Sequence, residues 1–125
     1  IRNTKKEKPM NTTATTKYDE QITLTYRTGT YYGEADEMHI VEARDEEGTM
    51  VGELYCDHTT GQIMQIEVNE DRRGEGIARL MAEHAATIFD VYHSPDEHCT
   101  PEGLAFKEAM NGETIPAELA YQPAA

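Results

Sequence analysis

The sequence predicts an α+β domain of order β-β-β-β-α-β-α. Three observations carry that prediction. Apolar and polar residues alternate with the period of a strand in four segments between residues 22 and 68. The period changes to that of an amphipathic helix from Gly76 onward. A Thr-Pro-Glu triplet at 100–102 then opens a second helix.

The elements follow in order. Residues 22–26 alternate apolar side chains with threonine and form the first expected strand. A turn-like stretch through Gly29 and Gly33 leads to a second strand at 38–44. There His39, Val41 and Ala43 share one side, and Met38 and Ile40 the other. Asp45-Glu46-Glu47-Gly48 is a polar turn ending in glycine, so a hairpin into residues 50–57 is expected. His58-Thr59-Thr60-Gly61 turns the chain into the fourth strand, 62–68. Ile77, Leu80, Met81, His84, Ala85, Ile88 and Phe89 then fall on one stripe of a helix that reaches about Asp90. Residues 91–94 make a short fifth strand, stopped by Pro95. The second helix starts with Thr100 as its cap and Pro101 in its first position. It stops at Asn111-Gly112.

The chain has 125 residues, with 24 acidic against 11 basic, for a formal charge of −13. That length supports one domain with a modest core. The mean charge disfavours a nucleic-acid surface and an anionic membrane. No run approaches the roughly 20 apolar residues of a membrane span. No apolar signal segment is visible, and two cysteines without an export signal point to free thiols in a reducing, cytoplasmic setting. Residues 1–17 are expected to be a disordered leader. Its first nine residues carry Arg2, Lys5, Lys6 and Lys8, and precede Met10 as an added segment would. Residues 18–112 form the single domain, and 113–125 a tail that packs through Ile115, Leu119 and Tyr121.

The chemistry concentrates between the fourth strand and the long helix, at Arg72-Arg73-Gly74-Glu75-Gly76-Ile77-Ala78-Arg79. Glycines allow close approach to the backbone. The first turn of a helix presents unpaired N–H groups and the positive end of its dipole, which suit a phosphate or pyrophosphate. Three arginines placed there in so acidic a chain point to an anionic ligand. The segment is neither a dinucleotide fingerprint nor a P-loop, because the third glycine and the Lys-Ser/Thr pair are missing.

Arg73-Gly74-Glu75-Gly76-Ile77-Ala78 resembles the Arg/Gln-x-x-Gly-x-Gly/Ala signature of the GNAT superfamily of acyl-CoA-dependent N-acetyltransferases. It stands in the same context, between a fourth strand and a long helix, and the likeness covers roughly residues 38 to 112. The resemblance implies a GNAT-like fold and an acetyl-CoA co-substrate. It implies that backbone near Ile66 and Val68 binds the pantetheine arm, and that amides from Arg73, Gly74, Glu75, Gly76, Ile77 and Ala78, with Arg79 beside them, hold the pyrophosphate. Ser94 takes the place of an asparagine that contacts CoA. An amine would attack the acetyl group in a cleft between the fourth and fifth strands.

Two departures from the family stand out. Only residues 27–36 separate the first two strands, too few for the family's first two helices. Polar Thr23, Thr25, Gln65 and Glu67 accordingly leave one sheet face open to solvent or to a second copy in a homodimer. Phe106 stands where many members carry the tyrosine that protonates the leaving thiolate, leaving Tyr92 and Tyr121 as substitutes. Glu67 on the fourth strand is the first candidate base and His93 the second, while His84 on the apolar stripe is a core histidine. Cys56, Asp57, His58, His93, His98 and Cys99 match no zinc spacing, so no metal is expected. The acceptor is expected to be a primary amine, and the acidic surface favours a cationic one. A non-catalytic acyl-CoA-binding module and an acidic protein-interaction domain are the alternatives.

Overall fold

A computed structural model describes residues 11–30, 37–95, 99–110 and 112–116 of the chain. The architecture is α+β. A five-stranded antiparallel meander, β1 Thr12–Thr15, β2 Gln21–Thr30, β3 Glu37–Arg44, β4 Met50–Asp57 and β5 Ile63–Val68, runs in sheet order β1-β2-β3-β4-β5. Helices α1 Ile77–Ala86 and α2 Pro101–Met110 follow.

Four of these strands are the expected ones, but β2 runs on to Thr30, so that Gly29, expected in a turn, pairs with Met38 inside the sheet. The fifth, β1, lies inside the stretch expected to be a disordered leader. Burial alternates there in the strand period, with Thr12 and Ala14 half-buried and Thr13 and Thr15 exposed, and residues 12–15 pair antiparallel with residues 21–24. β-Branched threonine suits an edge strand with one wet face. The hairpin turn closes on Thr16, whose hydroxyl accepts from the N–H groups of Tyr18 and Glu20.

The other turns are built as their sequences suggest. Asp45 Oδ1 accepts from the N–H groups of Glu47 and Thr49, both at 2.9 Å. Asp57 Oδ2 accepts from those of Thr59 and Thr60.

Two apolar clusters form, one on each face of the sheet. The larger joins Ile22 and Leu24 of β2, Val41 and Ala43 of β3, and Leu54 and Cys56 of β4 to Ile77, Met81 and Ala85 of α1. Val51 joins this cluster, although strict alternation from Gly52 and Leu54 puts it on the other face. The cause is a bulge: Ala43 pairs with Gly52 and Arg44 with Met50, so Val51 is an extra residue in β4. Gly52 makes room for the helix, since a Cβ there would stand 3.0 Å from Met81 Cε. The smaller cluster, Met38, Ile40 and Tyr55 with Met64 against it, occupies the opposite face.

α1 ends earlier than its apolar stripe. The Thr87 hydroxyl donates to the His84 carbonyl at 2.6 Å where the helix ends, so Ile88 and Phe89 lie in the turn that follows, from which Phe89 packs on the larger cluster. The expected fifth strand at 91–94 is reduced to two isolated parallel bridges, Gln62 with Tyr92 and His93 with Thr114. α2 starts as its sequence predicts, with Gly103 N–H donating to Thr100 Oγ1 at 3.0 Å. Ile115 is buried as expected. Tyr31, Tyr32, His98, Leu119 and Tyr121 lie outside the described residues. No helix among the described residues is long and apolar enough to cross a membrane.

Gly61 holds the junction between β5 and the following segment. Its φ is +80°, and an added Cβ would sit 1.9 Å from the Asp90 carbonyl oxygen. Gly61→Ala is therefore expected to destabilise the fold by roughly 2–4 kcal/mol, from left-handed strain plus overpacking. Urea unfolding measures this, and a loss below about 0.5 kcal/mol would contradict the packing described.

Candidate functional site

β5 is the last strand of the sheet, and among the described residues its outer edge is paired only at its start. Tyr92 N–H donates to the Gly61 carbonyl at 3.0 Å, and Ile63 N–H to the Tyr92 carbonyl at 2.8 Å. The next residue leaves: His93 exchanges its backbone bonds with Glu113 and Ile115 instead. The Ser94 hydroxyl bridges the parting, donating to the Ile63 carbonyl at 2.6 Å and accepting from Gln62 Nε2 at 2.9 Å. Past this point the two segments diverge and enclose a cleft of about 490 Å³. One wall is β5. The other is His93, Ser94 and the face of α2 that carries Gly103, Phe106 and Lys107.

The β5 wall presents backbone as well as side chains. Asn69 N–H donates to the Val51 carbonyl, toward β4, while the Val68 carbonyl accepts from Arg73 Nε at 3.2 Å. Strand alternation then turns the N–H and C=O groups of Val68 and Ile66 away from β4, to the cleft edge. A bulge sets this phase. Cys56 pairs with Ile63 and Tyr55 with Gln65, which leaves Met64 as the extra residue.

At the far end of the cleft lie Arg73 and Ala78, where the chain enters α1. Gly74 and Gly76 have φ of +84° and +91°. Nothing lies within 4 Å of where a Gly74 Cβ would stand. Gly76 is the N-cap of α1, and no side chain caps the helix there. The first-turn N–H groups are thus presented without a side-chain acceptor of their own.

The three arginines divide. Arg73 is exposed and lines the cleft. Arg72 is a structural cation. It pairs with Glu75 at 2.8 Å, with Glu20 of the β1–β2 turn, and with Asp45 of the β3–β4 turn at 3.7 Å. The Arg72 hydrogen bond holds the Glu75 carboxyl below the usual carboxylate range, with the arginine's charge adding to it. Arg79 points to α2, donating to the Ala109 carbonyl at 3.0 Å, with Glu83 beside it. The expectation that all three arginines serve an anion is therefore corrected to Arg73. Glu75 and Ile77 can contribute backbone only, because the Glu75 carboxylate is held by Arg72 and the Ile77 side chain is in the core.

Both candidate bases border the cleft. Glu67 is exposed, accepts from Gln65 Nε2 at 2.7 Å, and also lines a second cavity of about 210 Å³ with Glu53 and Asn69. Glu42, Glu53 and Glu67 stand in register across β3, β4 and β5. Arg27 and Arg44 neutralise the first, and Tyr55 Oη donates to the second. His93 is only 6% exposed, with its ring against Gly112 and Phe106. Burial, and then the nearby Lys107 charge, push its pKa below the ordinary imidazole value. His84 is buried on α1, as expected for a core histidine.

Cys99, Thr100, Gly103 and Lys107 also line the cleft, a placement the sequence reading did not give them. Their spacing at 100, 103 and 107 marks one helical face, which was the available signal. A second titratable group lies away from the cleft. Tyr26 Oη and His39 Nδ1 are 2.6 Å apart, and the His39 ring stacks on Phe89 and His58. Burial, and then the charge of His58, lower the His39 pKa. Among the described residues, no three His, Cys, Asp or Glu side chains converge as metal ligands would.

No family model, curated protein or solved structure matches this chain.

His93 and His39 are expected to titrate below about 6.5 in an NMR pH series. Each lowered pKa means that the unfolded chain takes up the proton more readily. These two histidines therefore subtract stability as pH falls below about 6.5. Lys107→Gln should raise the His93 value part of the way and leave His39 unchanged. An unmoved His93 would contradict the placement of Lys107.

Proposed function

We propose that this chain binds acetyl-CoA and transfers its acetyl group to a primary amine, as a minimal member of the GNAT superfamily. One observation carries this reading: a strand edge with outward backbone groups leads into an uncapped helix N-terminus, with Arg73 between them. That sequence of features fits an extended amide-bearing arm ending in a pyrophosphate.

The residues have separate tasks. Backbone groups of Ile66 and Val68 bind the amides of the arm. Arg73 and the amides from Gly74 to Ala78 take the pyrophosphate charge, and Gly74, with open space where a side chain would stand, lets it approach the main chain. Ser94 holds the cleft open at its base. The acetyl group is supplied as a thioester, and Glu67 accepts a proton from the attacking amine. The carboxylate row that ends at Glu67 favours an acceptor that arrives as a cation. The family's first two helices have no counterpart among the described residues, so the acceptor side is built from the sheet face itself.

Phe106 supports a second reading. It lines the cleft at the position where the resemblance expects a proton-donating tyrosine, and a phenyl ring donates nothing. A module that binds acyl-CoA without turning it over would have this feature.

Calorimetric titration with acetyl-CoA tests both. Wild-type protein is expected to bind, Arg73→Ala to bind about tenfold more weakly through loss of a charge-assisted contact, and Ala78→Glu not to bind. Release of free thiol with a panel of primary amines then separates the transferase from the binding module. No binding by folded wild-type protein at millimolar acetyl-CoA would overturn both and leave the acidic interaction domain.

A further inference from the structure

We propose that Lys107 is the proton donor to the leaving thiolate, in place of the hydroxyl that Phe106 lacks; this rests on the acyl-CoA reading above. Lys107 lies on the cleft-facing side of α2, one residue after Phe106, and both line the cleft. Its Nζ donates to the Ser94 carbonyl at 3.1 Å. That bond places the ammonium at the base of the cleft, beside the point where β5 and the 91–94 segment part. A thioester led along β5 from the α1 end would place its sulfur there.

The other titratable groups lining the cleft suit the task less well. Arg73 is at the opposite end, bonded to the Val68 carbonyl, and a guanidinium does not give up its proton. Glu67 is on the facing wall and serves as an acceptor of protons. The Cys99 thiol donates to the Ser94 and Pro95 carbonyls. Burial, and then the charge of Lys107 itself, lower the His93 pKa and so disfavour the proton-carrying form. Lys107 carries a dissociable proton and a positive charge at the same atom.

The step balances. The acceptor ammonium passes one proton to Glu67, the freed amine bonds to the acetyl carbon, and a second nitrogen proton leaves to water as the amide forms. Lys107 gives its Nζ proton to the sulfur as the carbon–sulfur bond breaks. The products are an amide and a thiol, and Lys107 regains its proton from water. Before the proton moves, the ammonium stabilises negative charge developing on sulfur.

The test reads the sulfur and needs no acceptor. Thiolate absorbance of bound CoA is titrated with pH, using desulfo-CoA complexes to subtract Cys56 and Cys99. In wild-type protein the bound thiol is expected to ionise about one pH unit or more below free CoA. Lys107→Arg keeps the charge and should keep that shift, while Lys107→Gln should lose it and still bind CoA within about threefold. A bound thiol that ionises no lower than free CoA overturns the assignment, as does a shift retained in Lys107→Gln. Failure of wild-type protein to bind CoA at all overturns the acyl-CoA reading, whereas binding without a shift overturns only the role of Lys107.

Discussion

The parting of β5 from the segment after α1 is the constraint on which the candidate site depends. Backbone groups in a folded chain need partners or water. The structure satisfies those at the junction and exposes those just beyond it. Gly61 and Ile63 hold Tyr92, Ser94 supplies a hydroxyl where the ladder ends, and His93 turns to pair with Glu113 and Ile115. A strand continued past His93 would have closed the cleft. The bulge at Met64 then sets which backbone groups of β5 face the gap.

Charge is sorted with similar economy. The chain carries −13, yet Arg72 is surrounded by three carboxylates drawn from two turns and the loop itself. That network ties the β1–β2 hairpin and the β3–β4 turn to the loop entering α1. Lys17 N–H adds a backbone bond to the Glu75 carbonyl. The loop is thus held from the side away from the cleft. Arg73 stays exposed, its guanidinium bonded among the described residues to a carbonyl that carries no charge. One arginine gives the loop its shape, and its neighbour faces the cleft.

Much of the fold was legible because the periods were clean. The alternation in residues 38–44 and 50–57, the Asp-initiated turns, and the Thr-Pro start of α2 each follow from local chemistry. β1 was not legible as structure, since a short threonine-rich edge strand has the composition of a tail until its partner is known. The early end of α1 and the place of Val51 were likewise hidden. A side-chain hydroxyl bond to the backbone accompanies the first, and a one-residue bulge decides the second.

The sequence by itself determined the α+β class, the helix N-terminus opened by two glycines, and the nearness of Arg73, Gly76 and Ala78, because these depend on neighbours within a few residues. Tertiary structure decided which arginine is available, since Glu20 and Asp45 reach Arg72 from distant turns. It also decided that Glu67 borders both cavities, and that α2 brings Lys107 against Ser94. Those are contacts between elements far apart in the chain, and no local pattern encodes how two such elements meet.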